Sequence, residues 1–129
     1  KRRANACALK SILENCAGLK IQNEPAYARH AYYKFYVEVE NDCLAPGWSR
    51  DRIIQEIKEL EIPIYSGSCS EVYLEKCFNN SYTTRPSKLI NAKLLGETSL
   101  MFLVHPTLSK EDMYKVGEIT LSILKKAIK

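Results

Sequence analysis

The chain has 129 residues, 46% of them apolar and 26% charged, with a formal net charge of +4. That length holds one domain around one core, and that composition excludes a disordered chain or a disulfide-stapled miniprotein. No run of residues is long and apolar enough to cross a bilayer, and the mild positive balance suits an acidic ligand without demanding one.

Cys7, Cys16, Cys43, Cys69 and Cys77 are odd in number and contain no CxxC pair, which points to reduced thiols rather than a disulfide framework or a zinc site. His30 and His105 are the only histidines and lie far apart in sequence, so no metal is expected. The basic opening KRRANACALK lacks the apolar stretch of a signal peptide, and the expected location is cytoplasmic.

The first helix begins at Lys1 with no capping residue before it, as expected of a helix entered from further upstream. It sets Leu9, Ile12, Leu13 and Cys16 on one face, with Gly18 read as its C′ residue. Residues 19–21 predict a short edge strand that Pro25 ends. Residues 31–40, AYYKFYVEVE, predict a half-buried strand with Phe35, Val37 and Val39 turned inward and Tyr32, Lys34 and Tyr36 on the opposite side. Ser49 predicts the cap of a helix over 50–61 with Ile53, Ile54, Ile57 and Leu60 as its buried stripe, and Pro63 then opens a strand through Tyr65.

Residues 71–78 predict one or two helical turns and 79–85 an irregular connection. Pro86 predicts the first turn of a helix that carries Leu89, Ile90 and Leu94, runs to Leu95 and closes on Gly96. Residues 98–104, TSLMFLV, have no polar alternation after Ser99 and predict the most buried strand. Ser109 and Asp112 predict a capping box for a last helix whose Met113, Val116, Thr120, Ile123, Leu124 and Ala127 face inward. Residues 1–129 therefore read as a single α+β domain: two layers, a small mainly antiparallel sheet of three to four strands, and helices packed mostly on one face. The other face would carry tyrosines, which suit a partner surface.

The stretch most suited to a site is IPIYSGSCSEVYLEKCF at 62–78. A strand there ends in five small residues, Ser66 to Ser70, where the backbone can approach a ligand closely, and Tyr65 and Tyr73 flank the turn with hydroxyls. Glu71 reads as a charge at a helix start, and His30 and His105 as structural histidines at strand ends. Cys69 has no histidine near it in sequence to act as its base, so it reads as an inert thiol. No Walker loop, GxGxxG, HExxH or nucleophile elbow is present, so no self-sufficient catalytic set is expected. An alternative reading is a free-standing binding module, with nucleic acid or an acidic partner on the Tyr/Lys strand face, although the charge is low for that role and Glu38, Glu40 and Asp42 follow at once.

Three segments, KRRANACALKSIL, HAYYKFYVEVE with RDRIIQEIKELEIPIYSGSCSEVYLEKCF, and LLGETSLMFLVHPTLSKEDMYKV, together resemble the C-terminal part of the DegT-like sugar aminotransferases, a pyridoxal-phosphate family. The resemblance covers nearly the whole chain. It implies the C-terminal small domain of a longer homodimeric enzyme that moves an amino group, usually from glutamate, to a nucleotide-linked keto sugar in surface-polysaccharide assembly. It further implies that the cofactor is held by a large domain absent here, so this chain alone would bind none and be inactive, with no catalytic residue of its own. The family's His-Tyr-Pro pattern is replaced here by Tyr65-Ser66-Gly67-Ser68-Cys69, and no substrate-binding histidine is carried over. The residues expected to face substrate are Tyr65, Ser66, Gly67, Ser68 and Tyr73.

Overall fold

In a computed structural model of the chain, residues 1–78 and 88–129 are described; the sequence reading of 79–85 and of Pro86 lies outside them. The elements are α1 (Arg2–Leu13), β1 (Leu19–Lys20), β2 (Phe35–Val39), α2 (Arg50–Glu59), β3 (Ile64–Tyr65), α3 (Ile90–Thr98), β4 (Ser99–Phe102) and α4 (Lys110–Ala127). The strands form one antiparallel sheet in the order β1-β2-β4-β3. The small α+β architecture expected from the sequence is the one found.

The register sorts the two faces, because residues opposite one another in a ladder point to the same side. Phe35 lies across from Phe102, Val37 from Leu100, and Ile64 from Phe102. These residues are buried with Leu9 and Leu13 of α1, Ile53 and Ile57 of α2, and Met113 and Leu124 of α4. The other face carries Tyr36, Tyr65 and Met101 in one row and Glu38 and Ser99 in the next. Met101 is only 4% exposed, so this side too is covered.

Two devices cover it. Gly67 lies against the Tyr36 ring, where an added Cβ would stand 3.1 Å from Cε1. Farther along, Ser70 packs onto Gly96 of α3 so closely that any Cβ at Gly96 would collide with its hydroxyl. Arg50 then fixes the end of α3 to the sheet, donating from Nη1 to the Ser99 carbonyl at 2.8 Å and from Nη2 to the Gly96 carbonyl at 2.8 Å. A cation at a helix C-terminus satisfies carbonyls that have no partner in the helix itself.

Several sequence expectations shift for physical reasons. Gly96 does not close its helix; α3 runs through it to Thr98 because the missing side chain serves the contact with Ser70. The strand predicted over 98–104 keeps only Ser99–Phe102, all four residues buried. The strand predicted over 31–40 starts at Phe35, since Tyr32 has a left-handed φ of 48° and its N–H bonds to His30 Nδ1 at 2.9 Å. Tyr32 therefore leaves the pleat and stacks toward Phe35, with ring centroids 6.2 Å apart, instead of standing on the opposite face. Helix α2 stops at Glu59, with the chain turning through Glu61 at φ 62° before Pro63, and α1 stops at Leu13, which leaves Gly18 in the turn before β1. Residues 71–78 form two 3-10 turns, Val72–Leu74 and Lys76–Phe78.

Both predicted caps are present. Ser49 accepts from the Arg52 N–H, and Ser109 and Asp112 close a reciprocal capping box. Hydrogen bonds from Ser109 hold the Asp112 carboxyl below the usual carboxylate range. A depressed folded-state pKa means stability that is present above the unfolded value and is lost as pH falls through the folded one. Urea denaturation across an acid series should show stability falling less steeply in Asp112→Asn than in the native chain. A second expectation concerns Thr120, fully buried on α4 with no partner for its hydroxyl among the described residues. Thr120→Val should raise the unfolding free energy by about 1 kcal/mol, read from the denaturant midpoint, because a buried unpaired hydroxyl is replaced by a methyl of the same shape.

Candidate functional site

The 66–70 loop leaves β3 at Tyr65 and turns at Gly67, whose φ of +98° is open to glycine but strained for other residues. Ser66, Ser68 and Ser70 stand on one side of a cleft of about 500 Å3. Gln22, Asn23, Glu24 and Pro25, from the connection after β1, form the facing wall together with His30 and Tyr32. Its floor is Phe35, Tyr36 and Glu38 of β2 with Ser99 of β4, and Ala92 and Leu95 of α3 close one end. The cleft thus lies on the sheet face away from the three packed helices.

Its wall is fixed by Arg3, reaching out of α1. The guanidinium holds Glu24 through Nη1–Oε1 at 3.1 Å and Nη2–Oε2 at 3.2 Å, and Nη1 also donates to the His30 carbonyl at 2.8 Å. Burial would push the Glu24 carboxyl up, but hydrogen bonds from Arg3 and Tyr32 outweigh it and hold the acid below its ordinary value. Burial and then the Glu24 bond raise the Tyr32 hydroxyl, so it stays a donor. His30 Nδ1 accepts from the Tyr32 N–H, which leaves the proton of a neutral ring on Nε2. On the floor, Glu38 accepts from Gln22 Nε2 at 3.2 Å and has Lys20 Nζ at 4.0 Å.

Of the residues expected to face substrate, Ser66, Gly67 and Ser68 line this cleft together. Tyr65 stands at the loop's base, over a separate shallow groove beside Asp51 and Glu59, with Lys58 Nζ 5.5 Å from its ring centre. Tyr73 is not among the lining residues. Its hydroxyl donates to Glu71 at 2.6 Å and accepts from the Leu89 N–H at 3.2 Å, fastening the Val72–Leu74 turn to the start of α3. Cys69 lines the cleft, but its thiol donates to Glu75 Oε1 at 3.1 Å; that bond, and then burial, push its pKa up and keep it a thiol. His105 is structural: its ring bonds Thr107 Oγ1 at 2.8 Å, and Asn5 Nδ2 donates to its carbonyl at 2.9 Å.

Sequence reasoning missed the far wall. Nothing local marks Glu24, whose role depends on an arginine in another element, and Tyr36 and Glu38 were legible only as the outer side of a strand. The combined lining offers hydroxyls, amides and carboxylates over an apolar end, a set that fits a polyhydroxylated ligand through many short donor and acceptor contacts. Among the described residues it contains neither lysine nor arginine. None of the described His, Cys, Asp and Glu residues gather in a group able to hold a metal ion.

Comparison with known proteins gives the family. Residues 1–120 match the model of the DegT/DnrJ/EryC1/StrS aminotransferase family. An aminotransferase from Psychrobacter cryohalolentis is 45% identical over 97% of this chain and 33% of its own, with a TM-score of 0.81. The same fold, at 16% identity and a TM-score of 0.74, occurs in the E. coli GDP-4-keto-6-deoxy-D-mannose-3-dehydratase solved with hydrated PLP, over 92% of this chain and 30% of that one. DesI, solved in the presence of its TDP-sugar product, shows it at 15% identity and a TM-score of 0.74, over 97% of this chain and 31% of its own. No individually curated protein matches. This chain spans about a third of the length of these solved structures. It belongs to the DegT/DnrJ/EryC1/StrS aminotransferase family.

Proposed function

We propose that the chain is the C-terminal small domain of a longer cytoplasmic, homodimeric, pyridoxal-phosphate-dependent enzyme that transfers an amino group from glutamate to a nucleotide-linked keto sugar for polysaccharide biosynthesis. The observation that carries this reading is the 45% identity to an aminotransferase across 97% of the chain. The cleft's lining of hydroxyls, amides and carboxylates supports a sugar as the ligand.

The described lining residues do not fit pyridoxal phosphate: they present no amine to condense with its aldehyde and no cation for its phosphate. In this reading the cofactor and the reacting groups belong to the large domain, and this chain alone is inactive. Its own residues bind and orient. Ser66 and Ser68 reach the sugar with their hydroxyls, the backbone at Gly67 allows close approach, and Tyr65 and Tyr73 keep the two ends of the loop region in place.

The full-length polypeptide should absorb as a pyridoxal-phosphate protein and transfer an amine from glutamate to a nucleotide-linked keto sugar, while residues 1–129 alone should do neither. Turnover by the isolated chain would reject the assignment. In the full-length polypeptide Ser68→Leu should raise KM for the keto sugar about tenfold with little change in kcat, the loss of one hydrogen bond worth ~1.4 kcal/mol. Unchanged kinetics would remove Ser68 from the site. Gly67→Ala, strained by its φ and pressed against Tyr36, should cost about 1 to 2 kcal/mol in unfolding free energy and raise the same KM.

A further inference from the structure

Of the nine residues of α3 only Thr98 is buried. Ile90 is 78% exposed, Leu94 49% and Leu95 40%, so a short helix turns its large apolar side chains to water. Helices below about 12 residues have little stability of their own and depend on packing. Among the described residues α3 is held by Arg50 and Ser70 at its end and by the Tyr73 hydroxyl at its start. The Val72–Leu74 turn that Tyr73 fastens to it exposes Val72 and Leu74 by about half as well.

We infer that the outer side of α3, with the Val72–Leu74 turn, is the docking surface for the remainder of the longer polypeptide, the part that holds the cofactor. This rests on the reading proposed above and assigns the face through which the two parts meet. Three observations favour that occupant. A protein 45% identical to this chain extends well beyond it, since the matched part is 33% of its length. The face is apolar, and the charges on it, Lys93 and Glu97, pair with each other at 3.6 Å, which suits a permanent contact rather than a polyanion. Ala92 and Leu95 of the same helix line the cleft, so a body seated on α3 also borders the site where the sugar is placed.

Hydroxyl-radical footprinting of the full-length polypeptide tests this without needing activity. Each side chain's labelling rate is referred to its rate in the urea-unfolded protein. Ile90, Leu94 and Leu74 should be protected at least tenfold, close to the core residue Leu100, while Tyr27, 93% exposed in this chain, should label freely. The double substitution Ile90→Ser with Leu94→Ser should lower the melting temperature of the full-length polypeptide by several degrees. Rapid labelling of Ile90 and Leu94, or an unchanged melting temperature, would overturn the assignment. Protection that appears only as the protein dimerises in a concentration series would overturn it too, in favour of a second copy. Protection without amino transfer would leave the docking face standing and reject the proposed reaction; amino transfer with Ile90 labelling freely would do the reverse.

Discussion

The central strand β4 is buried on both sides, and the rest of the molecule is arranged to satisfy it. Ser99, Leu100, Met101 and Phe102 offer no polar edge to water. Leu100 and Phe102 are met by the core of three helices, an ordinary solution for a small sheet. Met101 requires cover on the opposite face as well. Among the described residues a nine-residue helix and a small-residue loop provide it, and they do so by close approach: Gly67 on the Tyr36 ring and Ser70 on Gly96. The cleft is the space left between that cover and the Arg3-anchored wall.

Arg50 makes this arrangement possible. It is itself buried, starts α2, and reaches the carbonyls of Gly96 and Ser99 with two prongs of a planar donor that lysine could not reproduce. Its Nε–H donates to Asp51 Oδ1 at 2.7 Å. One side chain thus couples the helix layer to the end of α3 across the sheet's edge. Because the coupling is polar and terminal, it fixes where α3 ends without burying its apolar sides.

What could be read from the sequence follows from how local each cause is. Helix α2 was legible because Ser49 caps it and Ile53, Ile54 and Ile57 repeat at helical spacing. The last helix was legible because Ser109 and Asp112 close on each other within three residues. Tyr32 and Gly96 were misread because their conformations answer to His30 and Ser70, partners that no periodicity indicates. The same division runs through the cleft. Ser66 to Ser68 announce themselves as a run of small residues, while Glu24 belongs to a segment without pattern and becomes part of a wall only through Arg3. The resemblance supplied the family, and the far wall came from the three-dimensional arrangement.

The charge distribution separates the readings that composition left open. Three of the arginines that composition counts toward the formal excess of +4 are already engaged. Arg3 is committed to Glu24 and the His30 carbonyl, Arg50 is buried, and Arg2 lies 5.6 Å from the Tyr33 ring centre. Where Tyr36 stands, the cleft lining carries the carboxylates of Glu24 and Glu38, paired with Arg3 and Lys20, and among the described residues no lysine or arginine of its own, so a phosphate backbone would meet repulsion rather than a free cation. Hydroxyl-bearing ligands face no such repulsion, because an ionised carboxylate is a strong acceptor for a sugar O–H. If a second body closes over α3, the water it excludes raises the value of each of those hydrogen bonds and the penalty for any left unmade. Under the proposed function, recognition of a sugar would then sharpen when this domain meets the rest of the longer polypeptide.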